Sequence, residues 1–445
     1  MMKFIFMNLF SLFMVLSLIN YFNIQLMFMF SLMFMLFSMV VFGVDFFSMV
    51  YLFMGVDVVS YILLLLLMWM GFMILLASLS SLNLGYFNRK FMLVFLILMV
   101  SLVMVFLVLN LFLFYLMFEF SLIPMFFMVL GWGFQYDRVE AGFYMFIYTF
   151  IYSLPLLMCL CLIDYQNLSM VYLLSNMGML MDSYIYLFLN LAFLVKLPIY
   201  SFHMWLPKAH VEASVGGSMI LASVMLKLGS YGILRFMLMF LNSYNLYSFS
   251  LVLWSILGSV MASLVCLRQM DLKILVAYSS VVHMGVLLGG LILLKNMSIL
   301  GGVIIMISHG LCSSGMFVLV NLVYERLSSR NIFMNKGLVS VFPYLTVLWF
   351  IISVNNMSSP PSLNLFGEYL LLLVIGGGYL GFMWIMGLVM FLSACYSIFF
   401  YSYSQYGEIN LNLFCMVNVS VRENLVLLMH LIPLNLLFLN LFLFI

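Results

Sequence analysis

Charge is what this sequence of 445 residues lacks: only 6% of it is Asp, Glu, Lys or Arg, whereas 68% is hydrophobic. A water-soluble domain carries about 25% charged residues, so this chain cannot cover itself with polar surface, and its solvent is a membrane. With 15 Lys and Arg in all, it offers no basic patch for nucleic acid. Other absences narrow the chemistry. There is no Walker loop, no Gly-x-Gly-x-x-Gly after a strand and no Cys-x-x-Cys, so neither a nucleotide nor a redox centre is expected in this chain. Cys159, Cys161, Cys266, Cys312, Cys395 and Cys415 form no Cys-x-x-Cys pair and read as small buried hydrophobes. His203, His210 and Glu212 are the best candidate metal ligands, but Pro207 interrupts any helical spacing between them and no Cys joins them, so no metal is expected.

The first residues, MMKFIFMNLFSLFMVLSLIN, lack both a basic region and a small-residue cleavage site, and are read as a first helix rather than a signal peptide. They also lack the Arg- and Ser-rich character of a mitochondrial import sequence, while Met (44) and Phe (47) are abundant; synthesis inside an organelle accounts for both.

What is present is apolar sequence in lengths that cross a bilayer. On the ruler of about 20 residues per crossing, about fourteen spans fit, near 3–20, 25–42, 58–79, 91–109, 111–130, 142–163, 185–207, 213–239, 248–267, 273–294, 298–323, 338–370, 378–403 and 424–444. YILLLLLMWM and FMLVFLILMVSLVMVFLVL are apolar on every side, which excludes the alternating pattern of a transmembrane β-barrel. The expected fold is an all-α polytopic membrane protein. If connections alternate sides, the odd-numbered loops hold Arg89, Lys90, Arg138, Lys208, Arg268, Lys273, Arg326, Arg330, Lys336 and Arg422, and the opposite side only Lys3 and Lys295. The positive-inside rule then places both termini outside and the odd loops in the cytoplasm or matrix.

Against this background the charges within spans stand out, because a charge at the bilayer centre costs about 2.5–3.5 kcal/mol or more. Glu119, Lys196 and Lys227 lie within three different spans, His283 and His309 sit at the centres of two more, and Arg235 falls within the eighth. Ser279, Ser280, Ser308, Ser313 and Ser314 accompany the histidines; their hydroxyls either bond helix carbonyls or hold a water file. Glu368 follows the pair Pro360-Pro361, which removes two backbone donors and must break the helix. Pro198 and Pro207 likewise flank the stretch after Lys196, so spans seven and twelve are expected to be broken.

Because the broken spans are five apart, the sequence suggests two inverted five-helix repeats, each containing a broken helix, as in secondary transporters. The corresponding division is 1–90 for the first three helices, 91–239 for the first repeat, 248–403 for the second and 424–445 for the last helix. A desolvated Lys loses its proton readily and a nearby carboxylate restores its hold. Glu119 and Lys196 are thus either a switchable pair or a fixed ion pair that sets packing. In the first case a proton released by Lys196 would pass to Lys227 and, through His283 and His309, to Glu368.

The stretch LVKLPIYSFHMWLPKAHVEASVGGSMILASVMLKLGSYGILRF, with FEFSLIPMFFMVLGWG, LRQMDLKILVAYSSVVHMG, ISHGLCSSGMF and PPSLNLFGE, closely resembles the antiporter-like proton-translocating subunits of respiratory complex I over roughly residues 100–400. The resemblance implies about fourteen helices with two inverted five-helix repeats and termini in the intermembrane space. It makes Glu119 the carboxylate of the fifth helix, Lys196 the lysine of the broken seventh, Lys227 that of the eighth and Glu368 the acidic group near the broken twelfth. His283 and His309 match the central axis, with Arg235, Lys273, His203 and His210 as weaker candidates. It implies a mitochondrial inner-membrane subunit, encoded in the organelle, that moves protons beside adjacent antiporter-like subunits and lipids. NADH, FMN, iron–sulfur clusters and ubiquinone would be handled by other chains. A stand-alone or Mrp-type cation/proton antiporter subunit, which shares these motifs, is the alternative.

Overall fold

A transmembrane chain must satisfy every backbone N–H and C=O internally, and continuous apolar segments do so by winding into helices. The computed structural model describes residues 48–51, 54–83, 88–133, 135–165, 183–237, 241–408 and 418–443. The spans expected at 3–20 and 25–42 lie outside these. A short antiparallel pair, β1 (Ser48–Tyr51) and β2 (Met54–Val56), departs from the all-helical expectation. It is followed by α1 (Val58–Asn83), α2 (Asn88–Leu107), α3 (Leu111–Phe120), α4 (Leu122–Trp132), α5 (Arg138–Tyr165), α6 (Ser183–Lys196), α7 (Trp205–Glu212) and α8 (Val215–Ile220). A π-helical turn (Leu221–Met225) leads into α9 (Leu226–Met237), α10 (Leu241–Cys266), α11 (Leu272–Leu291) and α12 (Asn296–Leu327). The rest comprises α13 (Leu338–Val341), α14 (Pro343–Asn356), α15 (Leu363–Gly378), α16 (Phe382–Gln405) and α17 (Val421–Leu436), with 3-10 turns at Ile332–Met334 and Leu437–Leu443.

Ten of the described helical segments are long and apolar enough to cross a membrane, and two shorter apolar helices, Ile185–Lys196 and Leu363–Gly378, belong to the broken spans. The protein is a multi-pass, almost wholly α-helical membrane protein.

The breaks follow proline chemistry. Pro124 has no N–H for the carbonyl of Phe120, four residues back, and the span that begins at Leu111 is interrupted at Ser121, next to Glu119. The seventh expected span breaks after Lys196, at Pro198. Pro207 does not break it again: it occupies the first turn of α7, where its missing N–H has no helical acceptor to serve. His210 and Glu212 therefore share one short helix, contrary to the expected disruption of their spacing. The twelfth expected span divides into α13, α14 and α15, with Pro343 opening α14 and Pro360-Pro361 in the link before α15.

The chain forms two compact units: residues 1–192 with 212–220, and residues 193–211 with 221–445. In the first, α1 packs on α2 and α8, and α4 on α2 and α5. In the second, α11 and α12 form the centre and are buried over nearly their whole length by α10, α14, α15, α16 and α17. Side chains absent from the contact face bring α12 and α15 together: a Cβ at Gly367 would stand 2.5 Å from Ile305 Cγ1 and 3.3 Å from Gly301 O. That close approach carries Glu368 into the centre of the second unit.

Candidate functional site

The buried polar side chains of the second unit converge on the α11–α12 centre. Lys227, at the start of α9, is fully buried. Its ammonium donates to the carbonyl of Ala222 within the π-turn and lies 3.0 Å from His309 Nδ1 on α12. The His309 ring centroid is 5.6 Å from that of His283 on α11. His283 Nδ1 lies 3.0 Å from Glu368 Oε1 on α15, and its Nε2 lies 3.1 Å from the Tyr396 hydroxyl on α16. Five helices, α9, α12, α11, α15 and α16, thus present Lys227, His309, His283, Glu368 and Tyr396, the last two at the two ring nitrogens of His283, each with 5% or less of its surface exposed.

A buried ammonium is costly unless bonded, and the bonds here fix tautomers. With Lys227 donating to Nδ1, His309 carries its proton on Nε2, an atom with no protein partner among the described residues. Glu368 Oε2 is in the same position. A buried polar atom left without a partner costs about 1–3 kcal/mol, so both sites favour water.

Lys196 ends α6 and is 4% exposed. The backbone freed by the break beyond it is satisfied locally: the Trp205 indole N–H donates to Val195 O at 3.0 Å. Gly229 on α9 lets that helix approach the break, since a Cβ there would lie 3.0 Å from both Leu197 N and Phe193 O. Glu119, in the first unit, lies in the last turn of α3 with both carboxylate oxygens shielded from solvent.

The weaker candidates divide. His203 accepts the Ser201 N–H at its Nδ1 (3.3 Å) and stacks on Tyr200 at 4.9 Å, so it fixes the loop of the broken helix, where Ser201 takes a left-handed φ of 95°. Arg235 donates to the Tyr231 hydroxyl one turn back at 2.8 Å. His210 is fully buried and stacked at 4.6 Å on Phe317 of α12, and buried Lys273 donates to Val211 O at 3.4 Å. None of the four touches the Lys227–Glu368 series directly in the contacts described. The serine hydroxyls bond helix carbonyls: Ser279 to Val276 O, Ser280 to Ala277 O, Ser308 to Ile305 O and Ser313 to His309 O.

Tyr396 escaped the sequence reading. A signal existed: Ser393, Tyr396, Ser397 and Ser404 recur at helical spacing and are all buried, a polar stripe within an apolar span. His430 was also unassigned; it is buried on α17, where its Nδ1–H donates to Val426 O at 2.8 Å and its Nε2 has no hydrogen-bond partner among the described residues.

Comparison with known proteins bears on this arrangement. The family described as "NADH:quinone oxidoreductase/Mrp antiporter, TM" matches residues 108–395, and "NADH-ubiquinone oxidoreductase chain 4, amino terminus" matches residues 1–105. NADH-ubiquinone oxidoreductase chain 4 of Ceratitis capitata is 45% identical over 378 residues, 84% of this chain and 83% of that one. A chain of respiratory complex I from Thermus thermophilus with bound NADH superposes with a TM-score of 0.87 at 22% identity, covering 97% of this chain and 94% of that one. A chain of an archaeal membrane-bound sulfane sulfur reductase gives 0.85 at 18% identity over 98% and 75%. The two structures show a shared fold, and the sequence relationship goes further: the chain belongs to the NADH-ubiquinone oxidoreductase chain 4 family.

Proposed function

We propose that this chain is a proton-translocating membrane subunit of NADH:ubiquinone oxidoreductase, respiratory complex I. The observation that carries the reading is the buried series Lys227–His309–His283–Glu368, in which polar groups from separate helices meet inside an apolar fold. Ionisable groups are placed at such depth only where they face one another or water. Lys196 delivers a proton to Lys227, and His309 passes it on. Water between the rings carries it across the 5.6 Å centroid separation to His283 and Glu368. Glu119 is the intramembrane carboxylate of the first unit, and its charge belongs to the same relay reading. His210 and Lys273 lie at the margin of the series, while His203 and Arg235 keep structural roles.

Electron transfer from NADH to ubiquinone, with FMN and iron–sulfur clusters, belongs to other subunits of the assembly. The proposed partners are neighbouring membrane-arm subunits, adjacent antiporter-like subunits among them, and lipids. The animal relatives and the Met- and Phe-rich composition support the mitochondrial inner membrane and synthesis within the organelle, and the positive-charge asymmetry supports termini in the intermembrane space. The match of residues 1–105 to a chain 4 family weighs against a stand-alone Mrp-type cation/proton antiporter. The repeat division into 91–239 and 248–403 remains the proposed domain organisation, each repeat with its broken helix.

In the assembled complex, reconstituted in liposomes, Lys227→Ala or Glu119→Ala lowers proton pumping and coupled NADH oxidation while assembly persists. Full pumping in both variants refutes the relay.

A further inference from the structure

His430 has no part in the Lys227–Glu368 series, yet it carries an unbonded basic nitrogen deep in the fold. Its Nδ1–H donates to Val426 O one turn back at 2.8 Å, which fixes the neutral tautomer and leaves the lone pair on Nε2. The ring is fully buried, and Nε2 has no hydrogen-bond partner among the described residues. Gly315 of α12 brings it close to α14: a Cβ there would stand 3.5 Å from His430 Cβ and 3.5 Å from Ile352 Cδ1. From Ile352 polar groups continue towards Glu368. Cys312 Sγ lies 3.6 Å from Ile352 O and 3.9 Å from Asn356 Oδ1, and Asn364 Nδ2 donates to Asn355 O at 2.8 Å. Glu368 is four residues beyond Asn364 on the same face of α15. Among the buried atoms of this group that have no protein partner, Asn355 Nδ2 and Asn356 Nδ2 are donors, whereas Glu368 Oε2 and His430 Nε2 are acceptors. Donors and acceptors shut off from solvent and not bonded to one another are matched by water, which accepts from an amide and donates to a carboxylate or an imidazole.

We infer that His430 is a further proton-carrying residue of this chain, exchanging protons with Glu368 through water held by the Asn355 and Asn356 amides. In the transfer the O–H bond of the Glu368 carboxyl group breaks at Oε2 and an N–H bond forms at His430 Nε2. The carboxyl group becomes a carboxylate, the imidazole becomes an imidazolium, and one proton moves along the water between them. Return of the proton reverses both changes. The Nδ1–H bond to Val426 O is kept in both states, so His430 changes charge without turning its ring. The relay thus extends past Glu368 from α15 to α17, whose first turn is held to α12 by the Arg326–Glu423 ion pair.

The inference rests on the relay reading, and the test separates the two. His430→Phe keeps a buried ring, and His430→Gln keeps a polar end that cannot take a proton. Both are compared with Asn356→Leu, Glu368→Gln and Lys227→Ala in the complex reconstituted in liposomes. Proton uptake, NADH oxidation, the KM for NADH and the solvent deuterium isotope effect are measured. Each His430 variant lowers pumping about tenfold, the scale of one lost bond to a charged group, with KM unchanged. Asn356→Leu gives a smaller loss with an increased isotope effect, because the proton keeps its acceptor but follows a less ordered path. Parental pumping in either assembled His430 variant overturns the inference. A density map of the unmodified complex that resolves water tests it without any substitution, and decides the matter if neither variant assembles. Hydrogen-bonded waters joining Glu368 Oε2 to His430 Nε2 are expected there, and dry packing between the two atoms overturns the inference. If Glu368→Gln and Lys227→Ala also pump fully, the relay itself fails. If they stop pumping while the His430 variants run normally, only the role of His430 is lost.

Discussion

Substituting Gly367 by Ala tests whether helix spacing sets the Glu368–His283 contact. The new methyl would lie 2.5 Å from Ile305 Cγ1, 3.2 Å from Ile305 N and 3.3 Å from Gly301 O, against ordinary carbon contacts of about 3.5–4.0 Å. Ile305 cannot simply rotate aside, because a β-branched residue in a helix has one strongly preferred χ1. The backbone atoms give even less. Relief therefore comes from α15 moving outward by about half an ångström, at a cost of about 1–3 kcal/mol, as is usual for an overpacked core. Glu368 is the next residue and moves with it. Its bond to His283 would stretch from 3.0 Å towards about 3.5 Å, where a hydrogen bond is scarcely one. Losing a charged bond worth about 1.5–3 kcal/mol corresponds to a roughly ten- to hundredfold slower step through this pair. The assay is proton uptake by liposomes containing the assembled complex, alongside its thermal unfolding. We expect a lowered melting temperature and pumping reduced at least tenfold. A variant that melts earlier yet pumps at the parental rate refutes the argument, because helix displacement would then be immaterial to transfer.

Two further outcomes follow from the geometry. Lys196→Arg keeps a positive charge that stays protonated under all accessible conditions, so assembly should survive while pumping stalls; parental turnover would favour a purely structural charge. Arg326 on α12 bonds Glu423 on α17 at 2.6 Å with each side chain 10% exposed, so Arg326→Ala should weaken docking of α17 by up to about 3 kcal/mol. Amide hydrogen exchange across Val421–Leu436 reads this directly, and unchanged protection there would contradict it.

The legible part of this molecule was what hydropathy and proline chemistry govern. Apolar runs near 58–79, 142–163 and 378–403 became α1, α5 and α16 with ends shifted by a few residues, because a lipid-immersed backbone has few alternatives to a helix. The interruptions after Lys196 and around Pro360-Pro361 were readable for the same reason. Pro207 misled: proline breaks a helix only beyond its first turn, and a sequence does not say where that turn begins. Among the charged and histidine residues, cost alone pointed to Lys227, His283, His309 and Glu368. Their order did not follow, since Lys227 meets His309 before His283, and such pairing depends on which helices pack together. Tyr396 was hidden among 26 tyrosines, most of which need no explanation. The π-turn at Leu221–Met225 has no local signature at all, as its residues are ordinary helix formers and helix packing selects it.

That turn bears on how Lys227 can let go. The lysine has two tethers of different kinds, a main-chain oxygen of its own helix at Ala222 and an imidazole on another helix at His309. If α9 slides or twists against α12, the first tether travels with the lysine and the second does not. The side chain can therefore be uncoupled from its receiver without ever being stripped of all company, which allows a small helix displacement to interrupt conduction while leaving the cation housed.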